Sequence, residues 1–324
     1  MSMKAVVIYE AGPPSVLKVE SRPIPTPAED EVLIRVKAFG LNRSEMFTRQ
    51  GHSPNVPFPR VLGIEAVGIV EKCPSGKFKP GDKVASAMGG MGRDFDGGYA
   101  EYTSPKAKNT QLIETNLDWS VIGAVPEMLQ TSYGSLFKAL KLQPTDRLLV
   151  RGGTTSVGLA AAAIAKNYGC FVAGTTRQSS QATADLMHKS GIEQIIIDDG
   201  NVAEKVKDKK FDKLLELVGT TTLRDSLKCV VGGGIVCMTG IVGNSWALKD
   251  FSPMGDIPHT VCLTDYDGGP QEFMETPLND LLKQVEAGTL PVGIGKIFHI
   301  DQIVEAHETQ EKNLARGKIV VLTE

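Results

Sequence analysis

The chain has 324 residues, of which 41% are hydrophobic and 23% are charged, and its 35 basic and 38 acidic side chains leave a net charge of −3. This length suits one very large domain or two ordinary ones, and the composition is typical of a soluble globular protein. The basic residues form no dense cluster and no apolar run approaches the ~18 residues that span a bilayer, which argues against nucleic acid as the main partner and against a membrane segment.

Five cysteines are scattered along the chain and none forms a Cys-x-x-Cys pair. An odd, dispersed set of this kind indicates a reducing compartment, so we expect the protein in the cytoplasm. The first residues form a strand-like apolar run without a cleavage site, so no signal peptide is expected.

The first 120 or so residues are typical of a β-rich domain. Their strand candidates are short, and proline and glycine interrupt them frequently, which predicts a partly open β-barrel rather than a sandwich of long strands. The predicted strands are 4–9, 31–38, 67–71 and 83–86.

The pattern changes near Trp119, where helices are predicted over 120–124 and 130–140. From residue 148 onward strands alternate with helices, which predicts a doubly wound parallel sheet of the α/β class. The predicted strands there are 148–150, 170–174, 195–197, 214–218 and 234–238, and the helices are 159–166, 182–189 and 223–228.

The last residues return to a mixed pattern. We expect amphipathic helices over 278–287 and 302–311 and a terminal strand over 317–322. The predicted plan is one barrel-like domain built from both ends of the chain, 1–122 and 268–324, with an α/β domain inserted at 123–267.

The most informative stretch lies between residues 147 and 166. A short buried strand leads into a glycine turn, 152–158, and a strong helix follows. This order lets a backbone approach a pyrophosphate at the positive end of a helix. The predicted contacts are Thr155, Ser156, Val157 and Gly158; the alternative is an ordinary strand-to-helix turn in which glycine serves only the backbone.

The second strand of this βαβ unit ends in Thr175-Thr176-Arg177 rather than in an acid. A site selective for NADH usually places Asp or Glu about 20 residues past the glycines, where it binds the ribose 2′-hydroxyl. Arg177, flanked by the hydroxyls of Thr175 and Ser179, suits a 2′-phosphate instead. The predicted cofactor is NADPH, and the alternative for Arg177 is a solvated loop charge.

Two later strands end in segments that we expect to border the adenine and the nicotinamide, because ligands of open α/β sheets gather at the carboxyl ends of the strands. The candidate residues are Val218, Thr239, Gly240 and Ile241. The long stretch 240–267 is predicted to form a pocket wall and an edge for dimerisation.

Several short motifs occur in an order and spacing that is specific as a set: Gly40-Leu-Asn-Arg-Ser44, Leu62-Gly-Ile-Glu-Ala-Val-Gly68, Gly81-Asp-Lys-Val84, Gly97-Gly-Tyr-Ala-Glu-Tyr102 and Gly317-Lys-Ile-Val320. On them the chain resembles, over essentially its whole length, the medium-chain dehydrogenase/reductases, and in particular their zinc-independent quinone oxidoreductase branch. The resemblance implies a GroES-like domain plus a Rossmann domain, an active site in the cleft between them, and a homodimer.

The departures from the zinc enzymes of that superfamily concern the metal ligands. Asn42 stands where they carry a cysteine, and Gly63-Ile64-Glu65 stands where they carry Gly-His-Glu. The loop 88–95 has no cysteine at all, so the structural zinc site is missing as well. The replacements at Asn42 and Ile64 remove good zinc ligands, so no metal is expected. Glu65 is predicted to give structural support.

Without a Lewis acid, alcohol oxidation is difficult, whereas hydride transfer to a conjugated carbonyl remains feasible. Asn42 is the first candidate to donate to the substrate oxygen or to hold the nicotinamide ribose, and shaping a loop is its alternative. Phe47 and Arg49 are candidate pocket residues, with packing or surface roles as the alternative. The resemblance assigns Thr131 to the carboxamide; otherwise its hydroxyl satisfies a helix start.

The sequence therefore predicts an NADPH-dependent reductase of a small electrophile, a quinone or an α,β-unsaturated carbonyl. An enoyl-thioester reductase is the nearest enzymatic alternative, although no concentrated cationic entrance for a coenzyme A phosphate is visible. The other alternative is a nucleotide-binding protein of low turnover that acts structurally or as a redox sensor.

Overall fold

The structure, a computed structural model, describes residues 1–324. It divides into two compact units: unit one comprises Met1–Gln130, Gly269–Glu286 and Val292–Glu324, and unit two comprises Thr131–Gly268 and Ala287–Pro291. The division predicted from the sequence, at 122/123 and 267/268, remains a prediction of the domain limits. No helix is both long enough and apolar enough to cross a membrane.

Regular structure begins within the first residues and continues to the last. The strands are β1 Ser2–Ile8, β2 Lys18–Pro23, β3 Leu33–Gly40, β4 Arg60–Val61, β5 Glu65–Lys72, β6 Lys83–Ala87, β7 Tyr102–Thr103, β8 Thr110–Leu112, β9 Arg147–Arg151, β10 Phe171–Thr176, β11 Gln194–Ile197, β12 Phe211–Glu216, β13 Val230–Met238, β14 Cys262–Asp265, β15 Ile294–His299 and β16 Lys318–Leu322.

Most of the helices are short. They are α1 Arg43–Arg49, α2 Trp119–Ile122, α3 Pro126–Gly134, α4 Ser156–Tyr168, α5 Gln181–Lys189, α6 Val202–Lys205, α7 Thr220–Ser226, α8 Pro253–Asp256, α9 Pro270–Glu275, α10 Leu278–Glu286 and α11 Ile303–Glu311.

Unit two contains a six-stranded sheet in the order β11-β10-β9-β12-β13-β14, and every neighbouring pair is parallel. Its central strand β9 is apolar without alternation, and Leu148, Leu149 and Val150 are all fully buried. A strand covered on both faces has this pattern, because each side chain lies against a helix layer. The predicted Rossmann-type sheet is confirmed.

Helix α4 follows β9 and is nearly all buried from Gly158 to Ala165. Thr155 begins it as N-cap, because its side-chain oxygen accepts a hydrogen bond from the Gly158 amide. Gly169 ends it with φ 106°, a left-handed conformation that favours glycine. Local sequence alone therefore sets both ends of this helix.

Unit one contains a three-stranded sheet, β2-β1-β4, and a seven-stranded sheet along the path β15-β16-β3-β5-β6-β8, with β7 paired to β3. All of these pairs are antiparallel except β15 with β16. The C-terminal strand β16 pairs with β3, Val320 opposite Gly40, and this pairing brings Lys318 to the start of α1. The architecture confirms the predicted GroES-like barrel domain.

One prediction for the middle of the chain is wrong in detail, and one strand there was not predicted. The single helix expected over 130–140 is α3 followed by a π-helical turn at Ser135–Ala139. Close packing accompanies this change, since a Cβ on Gly134 would lie 1.9 Å from Tyr266 Oη. The stretch 240–267 also contains a strand, β14, that its few apolar residues did not predict.

Candidate active site

Hydrogen bonds of Gly152 stabilise the glycine turn in unit two. Gly152 has φ 90°, its amide donates to Thr175 Oγ1 at 3.1 Å, and its carbonyl accepts from the amide of Thr155 at 3.0 Å. The amides of Ser156 and Val157 stand in the first turn of α4, where intrahelical acceptors are lacking. These amides and the helix dipole form the kind of anion site predicted for the pyrophosphate.

Arg177 follows directly after β10 and its side chain is exposed, as is that of Ser179. Both are therefore free to meet a ligand at this edge of the sheet. Thr175 is different, because it is only 1% exposed and its hydroxyl lies between the Gly152 amide and Asp198 Oδ2, 3.4 Å away. The buried Thr175 is therefore not available to contact a 2′-phosphate as predicted. Its hydroxyl instead stabilises the glycine turn by accepting from the Gly152 amide.

The ends of β12 and β13 lie at the same edge as the glycine turn. Glu216 is fully buried and accepts hydrogen bonds from the amides of Val218, at 2.7 Å, and Gly219, at 3.0 Å. Its backbone carbonyl accepts from the amides of Thr239 and Gly240. The structure thus brings together the four candidate residues predicted from the strand ends, all of them half-buried: Val218, Thr239, Gly240 and Ile241.

Thr131 is half-buried and lies in the second half of α3, so its hydroxyl does not stand at the start of this helix. Its assignment to the nicotinamide carboxamide remains a prediction. A neighbouring hydroxyl that the sequence analysis overlooked, Ser135 Oγ, lies 2.9 Å from Thr239 Oγ1 and ties the π-helical turn to the end of β13.

In unit one, Asn42 belongs to a buried ionic cluster that we call the Asn42 cluster: Asn42, Glu45, Glu65, Glu127 and Lys318. Asn42 Nδ2 donates to Glu65 Oε1 at 2.9 Å and to Glu45 Oε1 at 3.3 Å, and its amide oxygen accepts from Lys318 Nζ. Lys318 Nζ also lies 3.1 Å from Glu65 Oε1 and 3.5 Å from Glu127 Oε2.

This cluster uses every polar atom of the Asn42 side chain. The expectation of an amide free to donate to a substrate is therefore not met, because both of its hydrogens already have carboxylate acceptors inside the unit. Asn42 instead bridges two carboxylates and an ammonium group at the start of α1. The predicted structural role of Glu65, which is fully buried, agrees with these contacts.

The Asn42 cluster contains charges whose pKa values depart from their ordinary range. Burial, and then the charge of Glu65, raise the pKa of Glu45 to about 7, although an amide hydrogen bond from Ile64 opposes the rise. Burial acts to lower the pKa of Lys318, but the charges of Glu65 and Glu127 outweigh it and raise the pKa above its ordinary value. Lys318 therefore stays an ammonium ion, as its neighbours require.

Arg49 is fully buried, which overturns its assignment as a pocket residue. Its guanidinium group donates to the carbonyl of Gly12, to Glu311 Oε1 and, through Nε at 3.3 Å, to His307 Nδ1. The bonds to Glu311 and His307 link α1 to α11, and burial keeps the guanidinium group away from a substrate. Phe47, on the same helix, is 8% exposed, so its role as a pocket residue remains a prediction.

No group of three or more His, Cys, Asp or Glu side chains is arranged to hold a metal ion. Where zinc enzymes of this kind have Cys and His ligands, the structure has the Asn42 amide, already engaged, and the apolar Ile64. The donor set at this position does not fit a zinc ion.

Residues 28–115 match a sequence family described as the alcohol dehydrogenase GroES-like domain, and residues 191–321 match one described as zinc-binding dehydrogenase. Together with the two units and the glycine turn, these matches show that the chain belongs to the medium-chain dehydrogenase/reductase superfamily, in its quinone oxidoreductase branch.

Individual relatives match the chain over almost its whole length. The human protein named quinone oxidoreductase is 27% identical over 99% of this chain and 98% of its own. An acryloyl-coenzyme A reductase from Sulfurisphaera tokodaii is 27% identical over 98% of this chain and 99% of its own. The structure of an Escherichia coli quinone oxidoreductase complexed with NADPH matches with a TM-score of 0.86 at 24% identity, covering 98% and 99% of the two chains.

Sequence reasoning missed one group of charged residues in unit two. Arg151 and Glu216 are both fully buried and stand at the carboxyl ends of adjacent strands, β9 and β12. The signal was present, because each is a charged residue that directly follows an apolar run, in Leu-Leu-Val-Arg and Leu-Leu-Glu. A buried charge in such a position needs a partner of opposite charge or hydrogen-bond partners, and those partners show which segments lie next to the strand end.

Proposed function

We propose that this protein transfers a hydride from NADPH to a quinone or an α,β-unsaturated carbonyl without the help of a metal ion. The observation that carries the proposal is the carboxyl edge of the unit-two sheet. A capped helix start with open amides lies there beside an exposed arginine, at the end of a strand where NADH enzymes have an acid. NADPH is the cofactor of the E. coli neighbour, whose fold the chain shares.

When bound, the nicotinamide supplies the hydride. The residues of the chain bind and orient it. The amides of Ser156 and Val157 donate hydrogen bonds to the pyrophosphate, and Arg177 and Ser179 bind the 2′-phosphate. Four residues limit the space beside the nucleotide: Val218, Thr239, Gly240 and Ile241. Gly158 permits the close approach of α4 to the turn, since a Cβ there would lie 2.6 Å from the Gly152 carbonyl oxygen.

The proposed acceptor is an activated carbonyl, because the donor set at the Asn42 position does not fit a zinc ion that would polarise a simple one. Hydride transfer to the β-carbon of an enone, or to a quinone, places negative charge on oxygen, and a proton from solvent completes the reduction. Thr131 and Phe47 remain the proposed contacts for the nicotinamide and the acceptor. Catalysis then rests on positioning the two reactants, a contribution that reaches several kcal/mol in well-oriented pairs.

The test is NADPH oxidation, followed by absorbance, with a panel of a simple quinone, a short enone, an enal and an enoyl thioester. We expect turnover with the quinone or the enone. Tight binding of NADPH without turnover of any acceptor would instead identify a coenzyme-binding sensor, and absence of NADPH binding would refute the proposal altogether.

An enoyl-thioester reductase is the second candidate, favoured by the acryloyl-coenzyme A reductases among the relatives. Matched substrates separate it from the first. An enoyl-coenzyme A and the enone with the same carbon skeleton differ only in the thioester and its phosphorylated carrier. A preference of ten-fold or more in kcat/KM for the thioester, about 1.4 kcal/mol, would move the assignment to this class.

We further propose a cytoplasmic homodimer. All five cysteines are free thiols, as a reducing compartment requires. Strand β14 is the last of the unit-two sheet and pairs only with β13, so its other edge can accept the same strand of a second copy. Light scattering that gives the mass of one chain at micromolar concentration would refute the dimer.

A further inference from the structure

The carboxyl end of β9 carries a fully buried arginine, Arg151, directly before the glycine turn. All of its donor nitrogens are engaged. Nε and Nη2 hold both oxygens of Asp198, at 2.8 and 2.9 Å, while Nη1 contacts Asp225 Oδ2 at 2.6 Å, Ser226 Oγ at 3.0 Å and the carbonyl of Thr222 at 3.3 Å. We call these residues the Arg151 network.

Asp198 stays ionised in this environment. Burial acts to raise the pKa of Asp198, but the hydrogen bonds and charge of Arg151 outweigh it and hold the pKa below its ordinary value. The carboxylate is 9% exposed, so water screens it poorly. The cation that faces it is Arg151, which contacts both of its oxygens and also pairs with Asp225.

Asp198 also lies where the coenzyme is proposed to bind. Strands β10 and β11 are parallel with Thr176 opposite Ile197, so Asp198 and Arg177 are the next residues of the two strands. Asp198 Oδ2 accepts from Thr175 Oγ1, which in turn accepts from the Gly152 amide. The same carboxylate thus stands under the glycine turn and beside the proposed 2′-phosphate position.

An unbalanced carboxylate at this edge would oppose a 2′-phosphate, because like charges repel and Asp198 is itself largely shielded from water. It would penalise NADH much less, since its ribose carries no phosphate there. We propose, on the basis of the proposed NADPH function, that Arg151 is a coenzyme-selectivity residue that acts through Asp198. It cancels the charge of that carboxylate so that Arg177 faces the 2′-phosphate without an opposing neighbour. Arg151 itself touches no coenzyme and is a positioning residue.

The test measures dissociation constants of NADPH and NADH for four forms of the full chain: wild type, Arg151→Met, Asp198→Asn and the double variant. Removing Arg151 alone should weaken NADPH binding about ten-fold more than NADH binding. The double variant, which loses both charges, should recover most of the wild-type ratio. Asp198→Asn alone should shift the ratio toward NADPH by about three-fold, because Arg151 is then less compensated.

Arg147 provides the matched control, because it begins the same strand at the opposite end and stacks on Phe171 and Phe211. Arg147→Met should alter stability without changing the NADPH-to-NADH ratio. Removing Arg151 can also unfold the protein, since it leaves Asp198, Asp225 and the fully buried Glu216 without their cation. In that event Asp198→Asn decides the question, because it keeps the side-chain shape and its expected shift has the opposite sign to a general loss of binding.

Equal changes for both coenzymes in Arg151→Met, a double variant no better than the single, or an Asp198→Asn ratio that falls or stays unchanged would overturn this inference alone. A wild-type protein that binds neither coenzyme would overturn the proposed function, and the inference with it. The two failures are distinguishable because the first needs an intact wild-type preference for NADPH and the second removes it.

Discussion

At the scale of single residues, burial decides which of the chemically suitable side chains can act. Asn42 and Arg49 are polar residues close to a family motif, and both are buried with hydrogen-bond partners inside unit one. Arg177 has the same residue type as Arg49 and Arg151 but is exposed. The residue type could be read from the sequence, whereas the partners could not.

Arg177 is the residue whose removal tests the choice of cofactor most directly. Arg177→Ala should raise the dissociation constant of NADPH about ten-fold, ~1.4 kcal/mol, because a charge-assisted contact to the 2′-phosphate is lost, and should leave NADH nearly unaffected. Fluorescence titration with both coenzymes measures the ratio. Lys189→Ala, an exposed cation on α5, is the control, and an unchanged ratio in Arg177→Ala would discard the phosphate contact.

His307 provides a test of stability against pH. Burial, and then the charge of Arg49, lower the pKa of His307 to about 3, while its Nε2 lies 3.2 Å from Tyr99 Oη. Because the unfolded chain binds this proton more readily, its contribution is complete above pH 6.5 and is lost as the pH falls toward 3. Between pH 7 and pH 4.5 the loss should reach roughly 3 kcal/mol.

Urea unfolding of wild type, His307→Gln and His52→Gln at several pH values measures this effect. Glu45, with its pKa raised to about 7, acts in the opposite direction between pH 4.5 and pH 7, so the comparison is made between variants at each pH. In His307→Gln the free energy of unfolding should no longer decline as the pH falls. In His52→Gln, which changes an exposed residue, the decline should remain. Parallel profiles for all three proteins would contradict the assignment of His307 as buried and neutral.

At the scale of elements, the order of strand, glycine turn and helix in the β9–turn–α4 unit was predicted from local sequence, although α4 begins at Ser156, inside the turn predicted over 152–158. The strand is a continuous apolar run, Thr155 and Gly169 cap the helix, and Gly152 supplies a positive φ. The π-helical turn after α3 and strand β14 were missed, because packing and sheet pairing set them. Glycine spacing is local information, whereas the neighbour of Gly134 is more than a hundred residues away.

Gly158 tests the placement of this unit. Gly158→Val should abolish coenzyme binding, because the added atoms would overlap the Gly152 carbonyl oxygen, 2.6 Å from the new Cβ, and the Thr155 cap. Calorimetry with NADPH, after circular dichroism has confirmed folding, measures the loss. Gly255→Val on α8, where the nearest atom lies 3.5 Å away, is the matched control. Normal affinity in Gly158→Val would contradict the assignment of the turn.

At the scale of the whole molecule, two units built by different rules carry different parts of the proposed chemistry. Unit two has a parallel sheet whose strand ends gather the nucleotide candidates, and unit one has an antiparallel barrel with the Asn42 cluster at the start of α1. The overall architecture could be predicted because the change from short interrupted strands to alternating strands and helices is visible along the chain.

The proposed independence from metal concerns the complete protein. Treatment with a strong chelator, followed by gel filtration, should leave NADPH oxidation unchanged, because neither the Asn42 position nor the loop 88–95 offers a zinc ligand set. Elemental analysis of the untreated protein should find far less than one zinc per chain. Activity lost on chelation and restored by zinc would refute the metal-free reaction.

The sequence by itself determined the class of fold, the glycine turn with its capped helix, the basic rather than acidic end of β10 and the loss of the zinc ligands. Each of these depends on residue types within a few positions of one another, where backbone conformation and side-chain chemistry are local. Only the tertiary structure decided which charged and polar side chains are buried together: Arg151 with Asp198, Arg49 with His307, Asn42 with Lys318. The members of these pairs are 47, 258 and 276 residues apart in the sequence. An electrostatic interaction depends on distance in space and on exclusion of water, and neither can be inferred from the order of residues along the chain.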